Sequence, residues 1–168
     1  MKIEIVALRI SPGHNYKGRH GAPPESHPLL TLPEIECVAG RGIRGDRYFN
    51  HAPDFKGQIT FITVETLAEV QGILKLPSLD FGAARRNVLT RGVDLNSLIG
   101  ATFELGGVTF EGVEECKPCY WMNAAIAPGA EKQLRGRGGL RAKILGDGVL
   151  KTGWADLRVI QTAVRPAA

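Results

Sequence analysis

Alternating apolar and polar positions dominate the chain and predict a mainly β fold. Residues 2–10 alternate and are rich in β-branched side chains, which predicts an opening strand. Further strands are predicted at residues 34–38, 58–64, 86–90, 102–105, 108–110, 140–145 and 157–160. Residues 66–76 show helical spacing, and a short helix is expected around Gln133. Gly106-Gly107 predicts a hairpin turn, and a second hairpin is expected at residues 146–148.

Residues 11–31 interrupt this pattern and predict a long loop. Four prolines and three glycines in the segment prevent a regular element from running through it. Loops of this length inside a compact domain are uncommon and often cover a functional site. The segment from His14 to His20 is polar and carries side chains that can transfer protons near neutral pH.

Length and composition predict one cytoplasmic domain. The 168 residues suit a single unit over 1–168, with its core at about 2–160. No apolar run approaches the roughly 20 residues of a membrane span, and the charged amino terminus does not resemble a signal peptide. Three cysteines, an odd number, favour reduced thiols over a disulfide framework.

The net charge of +4 does not by itself indicate nucleic-acid binding. The 21 Lys and Arg residues are spread along the chain, and no signature of a DNA- or RNA-binding fold accompanies them. A nucleic-acid partner is therefore not expected, nor is a membrane. An anionic small ligand would suit the same charge.

The sharpest local motif is the C-x-x-C segment Cys116-Lys117-Pro118-Cys119. Its spacing is compatible with a redox pair, half of a zinc site, one metal-binding or sulfur-carrying cysteine, or two inert buried thiols. The surrounding pattern is not the β-α-β context of a redox pair, and no second paired spacing completes a zinc site. Spacing alone leaves these readings open.

Two further segments carry the donors that anions require. Residues 85–91 hold Arg85, Arg86, Asn87 and Arg91, and the rigid guanidinium fork suits phosphate. Strand alternation would place Arg85 and Asn87 on one surface. After Gly138-Gly139, Arg141 and Lys143 should share a face for the same reason.

Asp46 and Arg47 lie in a glycine-rich turn at residues 40–47. Their side chains are expected to pair with each other and fix the turn, although they could also reach a ligand. The structural role is the preferred interpretation.

Taken together, four segments resemble the MOSC domain family in order and spacing. They are Gly45-Asp46-Arg47, residues 85–100, Cys116–Cys119, and Gly138-Gly139-Leu140-Arg141-Ala142-Lys143, and the resemblance runs over about residues 2–160. The family is named for the carboxy-terminal domain of molybdenum cofactor sulfurases. It also includes small stand-alone bacterial proteins and the mitochondrial amidoxime-reducing components.

The resemblance implies a MOSC-type β-barrel with a few short helices, and a molybdenum cofactor of the molybdopterin type. Cys119 stands where the family's cysteine ligates molybdenum or accepts sulfur, so it is the expected metal ligand and catalytic residue. The expected cofactor-binding residues, which would hold the pterin phosphate, are Arg85, Arg86, Asn87, Arg91, Arg141 and Lys143. A soft thiolate is a suitable ligand for a sulfur-rich molybdenum centre.

The leading functional hypothesis is an oxidoreductase that reduces N-hydroxylated compounds. No dinucleotide fingerprint and no cysteine set for an iron–sulfur cluster are present, so electrons would come from a separate reductase. The alternative is a non-catalytic sulfur carrier or cofactor-delivery module that uses the same cysteine. Two departures from the family pattern are Trp154 after Gly153, where many relatives have Asp, and the bulky Tyr120-Trp121-Met122 segment, which is either core or a wall beside the metal.

Overall fold

The protein was analysed as a computed structural model that describes residues 1–18 and 21–162. Strands predominate, and a 3-10 helix spans Leu95–Leu98. The elements in chain order are β1 (Lys2–Ile10), β2 (Leu30–Leu32), β3 (Glu34–Val38), β4 (Gly42–Ile43), β5 (Ile59–Thr63), α1 (Val64–Ile73), β6 (Val88–Arg91), β7 (Thr102–Leu105), β8 (Val108–Glu115), α2 (Trp121–Ala125), α3 (Ala130–Leu134), β9 (Leu140–Ile144), β10 (Gly148–Lys151) and β11 (Gly153–Gln161).

Seven strands close into a barrel in the order β11-β7-β8-β9-β5-β6-β1, and β1 returns to pair with β11. Strands β5 and β6 run parallel, whereas the other pairings among the described strands are antiparallel. The short β2 pairs with the end of β1, and β3, β4 and β10 form a separate small sheet. The predicted mainly β barrel with a few short helices is confirmed.

The barrel closes around an aromatic and aliphatic core. Phe61, Phe103 and Phe110 are almost fully buried, and their ring centroids lie 5.4–6.2 Å apart. The first half of β1 contributes through alternation, since Ile3 and Ile5 are buried while Lys2 and Glu4 are not. Alternation of this kind buries one face of each strand, which the hydrophobic effect stabilises.

Helix α1 covers a second cluster outside the barrel. The helix begins after Thr63, whose hydroxyl caps it by accepting from the backbone N–H of Thr66. Leu67 and Val70 pack there against Ile62 and Met122. The predicted helix at 66–76 is confirmed, shifted towards the amino terminus.

The prediction of a hairpin at residues 146–148 is wrong. Strand β10 pairs with β3, with Leu150 opposite Ile35, instead of folding back on β9. Both edges of β9 are already occupied by β5 and β8, so no edge remains for β10. The hairpin at Gly106-Gly107 is confirmed, and both glycines have the positive φ that its turn needs.

The long loop is confirmed where the structure describes it, over residues 11–18 and 21–29, after which β2 begins. His20 lies outside the described residues. None of the helices in the described part of the chain is long and apolar enough to cross a bilayer.

Candidate functional site

A cleft of about 160 Å³ lies where several loops and strand ends meet. The loop after β1 contributes His14 and Tyr16, and the segment before β5 contributes Arg47, Tyr48 and Phe55. The other lining residues are Asn15, Gly57, Thr60, Ala84, Arg85, Arg86, Cys116, Lys117, Cys119, Trp121, Met122 and Arg141. Four of the seven predicted site residues therefore meet in one cavity although long stretches of sequence separate them.

Cys119 is exposed at this cavity, whereas Cys116 is buried in its wall. Both thiols are free. The backbone of Cys116 is fixed, since its N–H donates to the carbonyl of Gly139 at 2.7 Å and its carbonyl accepts from Arg86 at 3.1 Å. The exposed sulfur of Cys119 is the more accessible to a ligand or a partner.

Arg85 joins the cavity to the long loop. Its Nη2 donates to the hydroxyl of Ser11 at 2.7 Å and to the carbonyl of Gly13 at 2.9 Å. Within residues 1–18 and 21–162, the hydrogen bonds of this guanidinium use Nη2 alone, which leaves Nε and Nη1 for a ligand. Partial burial, with the charge of Arg47 nearby, lowers the pKa of Arg85. Because the guanidinium groups of Arg47 and Arg85 are neighbouring positive charges, they favour an anion between them.

Arg86 mainly stabilises the wall of the cavity. Its guanidinium donates to the carbonyls of Ala84 at 2.8 Å, Gly138 at 3.0 Å and Cys116 at 3.1 Å. These three bonds connect the segment before β6 to the C-x-x-C segment and to the glycines before β9. Arg86 therefore positions the loop that carries Cys119.

Asn87 is 4% exposed and binds its neighbours within the fold. Its side-chain oxygen accepts from the N–H and hydroxyl of Thr60 at 3.0 and 2.9 Å. Its amide nitrogen donates to the carbonyl of Arg9 at 3.1 Å and to Asp46 at 3.4 Å. The expectation that Asn87 shares a surface with Arg85 fails because β6 begins only at Val88 and Arg85 has a positive φ of 52°, so strand alternation does not extend to it.

Asp46 is buried and fixes the glycine-rich turn, as the sequence predicted. Its carboxylate accepts from the backbone N–H groups of Ser11 at 3.0 Å and Tyr48 at 3.1 Å, and lies 3.4 Å from the guanidinium of Arg47. Arg47 also stacks over the ring of Tyr48, 4.8 Å from its centroid. The turn thus presents Arg47 and Tyr48 to the cavity in a fixed orientation.

Arg141 extends from β9 beside the Cys116 sulfur and pairs with Glu114 at 3.4 Å. Partial burial lowers the pKa of Arg141, but the Cys116 sulfur and Glu114 outweigh that effect and raise it. Lys117 adds an exposed ammonium group at the same wall. The cavity is therefore strongly cationic.

Arg91 and Lys143 do not line this cavity. Arg91 pairs with Glu4 on the barrel exterior, and Lys143 pairs with Asp54 at 2.5 Å beside a different hollow. Lys143 is on the same face of β9 as Arg141, but two residues further along the strand. The structure thus separates these two predicted cofactor ligands from the other cavity residues.

Aromatic rings form two groups in the wall. Tyr16 of the long loop lies against Trp121 of α2, with centroids 5.4 Å apart. Tyr48 stacks on Phe55 at 5.1 Å and meets His14 edge-on at 4.8 Å. Trp121 therefore belongs to the cavity, whereas Trp154 is 73% exposed on the outside of β11.

The sequence analysis missed Tyr16, Tyr48 and Phe55 as cavity residues. Tyr48 directly follows the Asp46-Arg47 pair, so the glycine-rich turn was the sequence feature that could have indicated Tyr48 as a cavity residue. His14 lies among Arg47, His51 and Lys17, and partial burial together with these cations lowers its pKa despite Asp46. His14 is therefore mainly neutral at pH 7.

Within the described ranges, no three His, Cys, Asp or Glu side chains stand close enough to hold a metal ion together. Cys119 is thus the exposed cysteine of a cationic, aromatic cleft that the buried Cys116 also lines.

Comparison with solved structures agrees with the observed fold. The YuaD protein of Bacillus subtilis superposes with a TM-score of 0.72 at 18% identity, over 96% of this chain and 98% of that one. YiiM from Geobacillus stearothermophilus gives 0.64 at 16% identity, over 95% and 75%. YiiM from Escherichia coli gives 0.57 at 17% identity, over 94% and 74%. These similarities establish the fold, and no curated protein sequence gives a significant match.

The sequence model of the MOSC domain matches residues 19–164, which is most of the chain. That family is associated with molybdenum-cofactor-related activity. The matched region contains Cys119 and the cavity arginines, whereas His14, Asn15 and Tyr16 precede it. The chain belongs to the MOSC domain family.

Proposed function

We propose that this protein binds a molybdenum cofactor of the molybdopterin type in the cationic cavity, with Cys119 as the metal ligand, and reduces N-hydroxylated compounds. The observation that carries the proposal is the meeting of one exposed thiol with Arg47, Arg85 and Arg141 in a single cleft. A thiolate suits a soft, sulfur-rich metal centre, and guanidinium groups suit a phosphate.

The residues present fit such a group in chemistry, and the cavity encloses only a part of it. The enclosed 160 Å³ is smaller than the roughly 300 Å³ at the lower end of small-molecule pockets. A pterin with its phosphate would therefore extend beyond the mouth, where Cys119 and Lys117 are exposed. The enclosed part suits the anionic end of the ligand.

Each cavity residue has a definite task in this proposal. Arg85 and Arg47 hold the phosphate, since donors of Arg85 face the cavity while its Nη2 holds the loop. Arg86 and Asn87 position the segments that carry Cys119 and Arg85 without contacting the ligand. The roles of Arg91 and Lys143 as cofactor ligands stay predictions from the sequence, which the cavity geometry does not support because neither residue lines the cavity.

The reaction proposed is R–NHOH + 2 e⁻ + 2 H⁺ → R–NH₂ + H₂O. The bound molybdenum cofactor supplies the two-electron redox chemistry. The electrons come from an external reductase. His14 lines the cavity and, as a mainly neutral imidazole, relays protons from solvent. Trp121 and Tyr16 shield the site from water on one side.

The exposure of Cys119 also supports a second candidate function. A thiol that a partner protein can reach could carry a persulfide or pass the cofactor to another enzyme. Such a module would bind molybdenum loosely and would not turn over.

The test is expression in a cofactor-competent bacterium of the wild type, Cys119→Ser and the control Cys37→Ala. Cys37 is buried in β3 away from the cavity. We measure molybdenum, pterin and sulfane sulfur per chain, and reduction of an amidoxime and a hydroxylamine with reduced methyl viologen.

The wild type and the Cys37→Ala control should hold about one molybdenum per chain and turn over. Cys119→Ser should lose at least the roughly 10- to 100-fold in affinity typical of groups that only orient metal ligands. Sulfane sulfur on Cys119 without turnover would establish the carrier function instead. Metal binding that is equal in Cys119→Ser and wild type would contradict the cysteine-ligated reductase. If the wild type also holds no sulfane sulfur, the carrier function is contradicted as well.

A further inference from the structure

Cys116 and Cys119 bring two thiols into one cavity. Cys116 lies at the end of β8, and Cys119 precedes α2, with only Lys117 and Pro118 between them. Both cysteines line the cleft, one from within the wall and one at its exposed side. The proposed cofactor site needs a single thiol, so the second one has no role in it.

The surroundings of the two sulfurs differ in a way that suits reversible oxidation. Cys119 is exposed and can meet a soluble oxidant, whereas Cys116 is shielded from it. The backbone of Cys116 is held by Gly139 and Arg86, which fixes where its side chain enters the wall. Arg141 and Lys117 line the same cavity beside the pair.

The third cysteine provides an internal contrast. Burial raises the pKa of the Cys37 thiol to about 12. This thiol lies in the small sheet, outside the cavity, and has no neighbouring cysteine at close spacing. Reactivity towards oxidants should therefore differ sharply between Cys37 and the C-x-x-C pair.

We propose that Cys116 and Cys119 form a reversible redox site, in which Cys116 is the resolving thiol for oxidised Cys119. The oxidant is a hydroperoxide. The product is an intramolecular disulfide in the wall of the cavity.

The chemistry balances with one equivalent of hydrogen peroxide. The Cys119 thiolate attacks a peroxide oxygen, the O–O bond breaks, and Cys119 becomes a sulfenic acid as hydroxide leaves. The Cys116 sulfur then attacks the Cys119 sulfur, the S–S bond forms, the S–O bond breaks, and the departing hydroxide takes a proton to give water. Overall, two thiols and one peroxide give one disulfide and two waters, and a dithiol reductant restores both thiols.

The consequence for the cavity rests on the proposed function. A disulfide would remove the Cys119 thiolate, so oxidised protein could not ligate molybdenum until it is reduced. The same disulfide would protect Cys119 from irreversible oxidation to sulfinic acid while no cofactor covers it. The redox site itself does not depend on the presence of a cofactor.

The experiment uses the cofactor-free full-length protein, so that its result is independent of molybdenum binding. Wild type, Cys116→Ser, Cys119→Ser and Cys37→Ala are treated with one equivalent of hydrogen peroxide. Free thiols are then counted in denaturant, and the disulfide is located by peptide mass spectrometry. Trp121 fluorescence reports whether the cavity wall stays folded, since this ring follows Cys119 closely.

In the wild type, the three thiols per chain should fall to one, with a Cys116–Cys119 disulfide that dithiothreitol reverses. The Cys37→Ala variant should form the same disulfide. Cys116→Ser should instead accumulate oxygen on Cys119, and Cys119→Ser should stay reduced. Oxidation of wild-type Cys119 to sulfinic acid without a disulfide, or an unreactive Cys119, would overturn the proposal. If the disulfide forms on oxidation and the reduced protein nevertheless fails to bind molybdenum, only the proposed function is refuted.

Discussion

Replacing Asn87 with leucine should destabilise the fold strongly, although the sequence had indicated this residue as a cofactor ligand. Leucine has nearly the same shape as asparagine, so it fills the site without admitting water. It would leave the N–H of Thr60 and the Thr60 hydroxyl without their acceptor, at distances now of 3.0 and 2.9 Å. The carbonyl of Arg9 would also lose a donor.

The size of the effect follows from these lost partners. A buried donor left without an acceptor costs about 1–3 kcal/mol, so the two donors on Thr60 together predict a loss of about 2–6 kcal/mol in the free energy of unfolding. Such a loss is large for a single substitution. It would appear in the absence of any cofactor.

The assay is urea unfolding of the cofactor-free protein, followed by circular dichroism. The control is Asn96→Leu, because Asn96 donates to the carbonyl of Gly136 at an exposed position where water can replace it. This control should change the unfolding free energy by less than about 0.5 kcal/mol. A loss below about 1 kcal/mol for Asn87→Leu, with an unchanged denaturant slope, would refute the structural role and return Asn87 to the set of candidate ligands.

Two further expectations concern the glycines and His14. An alanine Cβ at Gly139 would stand 2.0 Å from the carbonyl oxygen of Phe61, at a φ of +104°, so Gly139→Ala should lower the unfolding free energy by more than about 2 kcal/mol. The control Gly72→Ala in helix α1 meets nothing within 4 Å and should raise the unfolding free energy by about 0.5–1 kcal/mol. Equal effects of the two substitutions in urea unfolding would contradict this expectation. Burial first and then the charge of Arg47 lower the pKa of His14 in the folded protein, so its NMR titration midpoint should lie below the ordinary value of 6.5. Its contribution to stability should be present above pH 6.5 and lost as the pH falls below that value. A titration midpoint above 6.5 would contradict the environment described.

Local sequence pattern predicted the elements that depend on local physics. Strict alternation identified β1, and apolar residues at helical spacing identified α1, because each pattern places one face of an element against a core. The pairing of β10 with β3 was not predictable in the same way. It depends on which strand edges remain open once the barrel has closed, and no local pattern records that.

The site shows the same division between residue type and placement. The sequence indicated guanidinium groups and a thiol as the candidate site chemistry, and Arg85, Arg86, Cys119 and Arg141 do meet in one cavity. It could not tell that Arg86 donates to three backbone carbonyls, because those carbonyls come from three separate segments. The same applies to Tyr16, which reaches the cavity only through the path of the long loop.

The sequence by itself determined the β character of the protein, its family, and the identity of the reactive groups. These depend on residue type, short-range periodicity and motif order, all of which are written along one chain. Only the tertiary structure decided which polar side chains face a ligand and which hold the backbone. Closure of the barrel buries Asn87 and Asp46 and leaves Arg85 and Cys119 accessible, and burial is a property of residues far apart in sequence.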